Sequence, residues 1–352
     1  MLQALAQVWW IRINYWELLI NTIFLNREEI EQVAIKALMN SGASEVAASA
    51  LAKGVAAAEM DGITSHGLVY VPIYCEHLTC GKVNSNAKVV VNRAAPSAIV
   101  VDADSGFAHP AIDAGFDLLI ESAKKNGCAA MSVRNSYNCG VLGFHSERIA
   151  RAGMTGLGFT NAPASIMPVG GNKSIIGTNP FSVAVPDGKG GVAFVLDQSA
   201  SVVAKSEIKM HAQARKPIPE GWAYDADGNP TTDADAAMKG SMAPVGGYKG
   251  FGAGLLVEVF AAVMAGATLS QDASPFAGTA GGPPRTGQFF FAASPDVFSA
   301  DAFGERIQTL TSSIVTQEGA HLPGSKRAHA RAKHEVNGVE VSVALLEKIQ
   351  AI

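Results

Sequence analysis

The chain has 352 residues, 48% of them hydrophobic and 16% charged, which is enough apolar material for one large or two modest domains with a sizeable core. A formal net charge of −4, with no block of like charges, excludes the electrostatic footprint of a nucleic-acid binder or a polybasic membrane anchor. A small molecule is the better partner, and the 36 glycines, some paired as in Gly246-Gly247 and Gly281-Gly282, suit turns and close backbone approach to a ligand.

Residues 1–21 are rich in large apolar groups such as Trp9, Trp10 and Trp16, interrupted by Arg12 and Glu17. They form neither a clean membrane span nor the ordered basic, apolar and cleavage regions of a secretory signal, so we expect an apolar extension before the domain proper. Cys75, Cys80, Cys128 and Cys139 make no C-x-x-C pair and no zinc spacing, which points to reduced thiols in a cytoplasmic protein and to no metal.

Regular structure becomes legible at Asn26, an N-cap with Glu29 three positions on, followed by Ile30, Val33, Ala34, Ala37 and Leu38 at helical spacing. That helix should stop near Asn40-Ser41-Gly42, and Ser44 should cap an Ala-rich helix running to about Met60. The stretch Asp61 to Gly67 breaks the pattern. Val89 to Arg93, Ala98 to Val101 and Ala129 to Val133 read as strands, with an amphipathic helix from Pro110 to Asn126 before the third. A helix closes over Arg148 to Gly153, and strands follow at Gly156 to Thr160, Phe181 to Val185 and Val192 to Leu196. Asp225-Ala226-Asp227-Gly228 has a glycine too early for a calcium loop and reads as a turn. Leu255 to Ala265 is an apolar helix entered from a glycine-rich loop, and Gln288 to Ala292 is a strand. The fold class is mixed α/β.

Neither a G-x-x-x-x-G-K-[ST] loop nor a G-x-G-x-x-G turn between strand and helix occurs; in Gly250-Phe251-Gly252-Ala253-Gly254 the third glycine comes one residue early. A standard Rossmann site is therefore not expected. Ser65-His66-Gly67 places a histidine, whose ordinary pKa suits proton delivery, in an irregular segment, although a structural histidine would look the same in isolation. Asn135-Ser136-Tyr137-Asn138 and Gly177-Thr178-Asn179-Pro180 stand at strand edges, where exposed amides and hydroxyls suit a carboxylate or diphosphate but also build ordinary turns. Asp197 ends a strand before Gln198-Ser199, and Lys249-Gly250 stands in a flexible loop before an apolar helix, a placement that suits a phosphate.

Taken in order, these segments, with Asp61-Gly62, Gly170-Gly171 and Leu322-Pro323-Gly324, resemble the type 2 malate/L-lactate dehydrogenase family from about Thr22 onward. That family includes malate, lactate, sulfolactate and ureidoglycolate dehydrogenases and the Δ1-piperideine-2-carboxylate/Δ1-pyrroline-2-carboxylate reductases. The resemblance implies a non-Rossmann NAD(P)-binding fold, a homodimer, and NAD or NADP as cofactor. It implies hydride transfer between nicotinamide and C2 of a small 2-oxo, 2-hydroxy or cyclic 2-imino acid. It makes His66 the proton donor, Ser65 its hydrogen-bonding neighbour and Asp197 a charge-relay or cofactor-contacting carboxylate. Tyr70, Asn138 and Thr178 fall at substrate contacts, and Asn135, Ser136, Asp197, Gln198, Ser199, Lys249 and Gly250 at cofactor contacts.

Two positions depart from the common pattern: many members have arginine where Tyr70 stands and a second histidine where Asn138 stands. The substrate carboxylate would then fall to Arg134, Lys249 or Arg285, and a catalytically idle binding protein is the contrary reading. Expected boundaries are the extension at 1–21, a helical N-terminal part at 22–85 carrying Ser65-His66, a mixed α/β cofactor-binding domain at 86–310, and a C-terminal segment at 311–352 returning to the N-terminal part.

Overall fold

The computed structural model describes residues 21–352; the extension expected over 1–21 lies, but for its last residue, outside the described residues. The described chain opens with β1 (Thr22–Leu25), followed by α1 (Arg27–Asn40) and α2 (Glu45–Met60). Both helices start as the sequence dictates. The Asn26 side chain accepts the Glu29 amide at 3.0 Å while the Glu29 carboxylate accepts the Asn26 amide at 2.8 Å, and the Ser44 hydroxyl caps the Ala47 amide at 3.2 Å. Two single 3₁₀ turns, Thr64–His66 and Leu68–Tyr70, lead into α3 (Val71–Thr79). The chain continues through β2 (Val90–Ala95), β3 (Ala98–Asp102), α4 (Ala108–Asn126), β4 (Cys128–Ser136), α5 (Leu142–Arg151), β5 (Thr155–Thr160), β6 (Phe181–Pro186) and β7 (Val192–Gln198).

An excursion then builds α6 (Lys205–Gln213), the short strands β8 (Ala223–Tyr224) and β9 (Pro230–Thr231), α7 (Ala234–Lys239) and β10 (Ser241–Met242). Next come α8 (Tyr248–Glu258), a π-helical turn over Val259–Met264, β11 (Thr286–Ala293), α9 (Pro295–Ser299), α10 (Phe303–Val315), α11 (Ser325–Asn337), β12 (Val339–Ser342) and α12 (Val343–Gln350). Apart from one or two residues at their ends, the expected strands and early helices stand where the sequence puts them, except that β4 runs three residues past Val133, so Asn135 and Ser136 lie in the strand rather than in a loop after it. The apolar helix expected from Leu255 is a correction: it begins at Tyr248, so Lys249 and Gly250 lie in its first turn rather than in a loop before it. Gly247 at φ +65°, a conformation that admits glycine readily, starts that helix without any side-chain cap.

Among the described residues the central sheet has seven strands in the order β2-β3-β4-β11-β5-β6-β7, of which only β3 and β4 run parallel. One parallel pair with α4 as its crossover is not a doubly wound sheet, which accords with the missing Rossmann turn. Strand β11 is inserted antiparallel between β4 and β5, pairing Phe290 with Met131 on one side and with Gly158 on the other. Side-chain alternation divides its residues between two faces: Phe290 and Ala292 join the core under α4 and α5, while Phe289 packs with Phe159, Val257 and Ala261. A separate core gathers Ile30, Leu38, Leu51, Val55, Leu68, Tyr74 and, from the far end of the chain, Val339, Val341 and Ile349. β1 and β12 pair antiparallel beside it, Thr22 opposite Ser342.

Inside this framework His109 of α4 and His145 of α5 lie fully buried with ring centroids 5.2 Å apart, and neither Nδ1 has a partner among the described residues. Burial, reinforced by the Arg148 cation, pushes His109 down to about 3; burial likewise holds His145 well below its ordinary value. Both rings therefore stay neutral in the fold while the unfolded chain protonates them below about pH 6.5. Their contribution is complete above that pH and is lost as the pH falls, each histidine removing up to about 1.4 kcal/mol per pH unit. Urea midpoints taken from pH 6.5 to 5 should decline, and His109→Leu should flatten the slope by about half; an unchanged slope would mean that one of the rings accepts a proton inside the fold.

Candidate active site

The site begins where α2 ends. Its alanines let neighbouring elements approach closely, and the last carboxylate on it, Glu59, is 4% exposed. Glu59 accepts the Leu68 amide at 2.6 Å, while Gly67 lies so close that an added Cβ would collide with the same carboxylate. Burial raises the Glu59 pKa, opposed by the Leu68 hydrogen bond. Glu59 thus fixes the turn that immediately follows His66.

His66 sits half-buried in the first 3₁₀ turn with the Ser65 hydroxyl 3.1 Å from its Nδ1. Its ring lies almost parallel to that of Tyr70, centroids 6.5 Å apart and planes inclined by 7°. Burial lowers the His66 pKa, the Asp197 carboxylate raises it, and the Arg327 cation lowers it again. Burial also raises Tyr70, and the neighbouring Asn138 side chain opposes that rise. The two positions that depart from the family pattern therefore meet as one uncharged pair. Behind them Tyr74, Tyr137 and Phe107 form an edge-on aromatic wall, and Cys139, fully buried with its thiol pushed up to about 12, is no nucleophile.

Asp197, at the end of β7, receives at Oδ2 the Gly143 amide and the Arg327 guanidinium, each at 3.0 Å. Arg327 comes from α11, which also reaches two other elements: Arg331 bonds both Asp61 at the end of α2 and Glu147 of α5, and His334 Nδ1 is 2.9 Å from the Met60 carbonyl oxygen. The turn before α11 is held by Gly324, at φ +80°, where a Cβ would stand 2.7 Å from the Val195 carbonyl. Between this turn, the backbone of Val192–Val195 and Gly143 opens a cleft of about 340 Å³ carrying Arg151, Arg327 and Arg331. Asp61 and Glu147 line it too, and each guanidinium is paired with a carboxylate: Arg331 with Asp61 and Glu147, Arg151 with Glu147, and Arg327 with Asp197.

The remaining expected contacts fall into two groups. The C-terminal end of β7 runs into Ser199 and Ala200, whose amide bonds the Thr178 carbonyl at 2.8 Å and whose carbonyl accepts the Val245 amide, so Thr178, Gln198, Ser199 and the start of α8 share one neighbourhood. Lys249 is exposed there. Asn135 and Ser136 are engaged elsewhere: Asn135, at φ +49°, donates to Asp102 at 3.0 Å, and the buried Ser136 hydroxyl donates to Gln288 at 2.9 Å. Of the basic residues considered for a substrate carboxylate, Arg134 is paired with Asp102 at 3.1 Å and Arg285 is exposed; Arg327 is the cation that acts on His66.

The sequence profile of the malate/L-lactate dehydrogenase family matches residues 25–350. The chain belongs to that family. As one of its members the protein is an oxidoreductase. It is 38% identical over 327 residues to a protein named (2R)-3-sulfolactate dehydrogenase (NADP(+)) from Chromohalobacter salexigens, covering 93% of this chain and 97% of that one. It is 34% identical to Delta(1)-pyrroline-2-carboxylate reductase 2 of Burkholderia multivorans, covering 95% and 98%. Among solved structures, the delta1-piperideine-2-carboxylate reductase of Pseudomonas syringae superposes with a TM-score of 0.88 at 30% identity, covering 94% of this family member and 99% of the other.

Proposed function

We propose that the protein transfers hydride between NAD(P)H and C2 of a small 2-oxo or 2-hydroxy acid, with His66 as the proton donor. The observation that carries this reading is the grouping of Ser65, His66 and Asp197 beside a cleft lined by arginines. NAD(P)H held along the Val192, Val195, Leu322 and Ser325 edges of that cleft would supply the hydride. The chain's own work is to hold His66 by the Ser65 hydroxyl, to bias its proton with Asp197 and Arg327, and to exclude water with the Tyr70, Tyr74 and Tyr137 wall. The decisive experiment assays a panel of 2-oxo acids and cyclic 2-imino acids with NADH and with NADPH; no turnover on any of them would sink the proposal.

A second reading, reduction of a cyclic 2-imino acid such as Δ1-pyrroline-2-carboxylate, is favoured by the uncharged Tyr70 and Asn138 pair, which offers hydrogen bonds but no cation for a second carboxylate. A charged hydrogen bond is roughly twice as strong as a neutral one, so Tyr70→Arg should improve kcat/KM for oxaloacetate relative to pyruvate by about tenfold. An unaltered ratio would mean that position 70 does not face the substrate. The proposed assembly is a homodimer in the cytoplasm. The exposed Leu256, Val259 and Val263 along α8 and its π turn offer an apolar face to a second copy, which sedimentation would read directly, and all four thiols are unpaired, as a reducing compartment requires.

A further inference from the structure

We propose that Arg327 is a positioning residue for the donor, holding Asp197 in place and dividing that carboxylate's charge between itself and His66. The inference rests on the reading of His66 given above, and its argument starts from α11. Arg327, Arg331 and His334 follow at helical spacing, so they lie along one side of the helix, and each grips a different part of the site. Arg331 and His334 fix where α2 ends, and so where the turn bearing His66 begins. Arg327 alone reaches the carboxylate that acts on the ring.

Its grip is unusually constrained. Asp197 Oδ2 takes the Gly143 amide and Arg327 Nη1 at 3.0 Å each, and a Cβ on Gly143 would lie 2.9 Å from both charged groups. Only glycine lets the carboxylate, the amide and the guanidinium converge. A charge so paired acts weakly on a third group; released, it would draw a proton to His66. The other groups facing His66 do not share this role. Tyr70, Asn138 and Ser65 are uncharged, Glu59 is occupied by the Leu68 amide, and Cys139 is buried.

The direction is fixed by these contacts. Replacing Arg327 by methionine removes a repelling cation and unshields an attracting anion, so both changes favour the protonated ring. Histidine ¹³C NMR titration of the ligand-free enzyme, with His66→Gln to assign the resonance, should show the His66 pKa of R327M raised by roughly one unit, while R327K stays near wild type. The pH at which reductive kcat falls should move upward by the same amount in R327M. A His66 titration unmoved in R327M overturns the proposal, as does a variant in which only the KM for NAD(P)H changes, since Arg327 would then serve the cofactor alone. Should R327M fail to fold, Gly143→Ala parts the same pair and is expected to raise the His66 pKa likewise. The titration needs no turnover, so it can fail while the proposed reaction stands, or succeed while the substrate panel is blank.

Discussion

Replacing His66 by alanine should lower kcat by about 10²–10⁴-fold, the usual contribution of a general acid, and leave cofactor affinity nearly intact. Hydride arriving at a carbonyl leaves charge on the oxygen, and His66 is the titratable group held by the Ser65 hydroxyl and acted on by the Asp197 charge. The size of the loss should depend on the substrate. A ketone needs its proton delivered, whereas a cyclic imine can enter already protonated, so the variant should retain more imine than ketone reduction. The ring's depressed pKa adds a pH signature: reduction needs the protonated form, so reductive turnover should fall as pH rises from the acid side, and oxidation should rise over the same interval. Steady-state kinetics at saturating cofactor test both statements; wild-type kcat on every substrate would mean that another group delivers the proton.

Glu258→Ala should unfold the loop that carries Thr178. Glu258, 6% exposed at the end of α8, accepts from Asn179 Nδ2 at 2.7 Å, from the Ser270 amide at 2.7 Å and from the Ser270 hydroxyl at 2.5 Å. Asn179 in turn caps the Ala162 amide and bonds the Gly254 carbonyl, and it stands at φ +37°, outside the common regions for a side-chain-bearing residue. Deleting the carboxylate strands the Ser270 amide and one hydrogen of Asn179 Nδ2, while the Ser270 hydroxyl keeps Asn179 Oδ1, so at about 1–3 kcal/mol for each stranded donor a loss of about 3 kcal/mol is expected. Glu258→Gln keeps one acceptor oxygen and should lose less. Chemical denaturation measures both, and equal stability of the alanine variant and wild type would mean that water or a rotated side chain takes the donors over.

How much of this was legible beforehand depended on distance along the chain. Asn26 with Glu29 and Ser44 announce their helices within three residues, and the alternation around Val101 and Val133 announces strands. His66 was found because serine and glycine flank it in an irregular segment. Glu59 was not, although a lone carboxylate closing an alanine-rich helix was a signal that such a residue has a buried task. Arg327 and Arg331 were hidden in Ser325–Asn337, whose many charges imitate a solvated helix face. Their partners are 130 and 270 positions away, and no local pattern encodes a pairing of that span. The insertion of β11 between β4 and β5 was equally invisible, because alternation tells which face a side chain takes but not which strand lies alongside. Lys249 was placed before its helix because glycines at 246, 247, 250, 252 and 254 read as a loop, whereas three of them lie inside the helix and allow Gly254 to approach Ile176 and Ala200.

The pairing of β1 with β12 and the grip of α11 on Asp197 have a consequence for synthesis. Thr22–Leu25 emerges from the ribosome long before Val339–Ser342, and the carboxylate at 197 waits for the arginine at 327. A nascent chain can build much of its central sheet, yet its first strand stays unpartnered and its donor turn unclamped until the closing residues are made. Contacts of such separation form slowly. A translation product halted after β11 would therefore carry Ser65, His66, Asp197 and Lys249 but neither Leu322-Pro323-Gly324 nor Arg327, and would have no assembled proton donor.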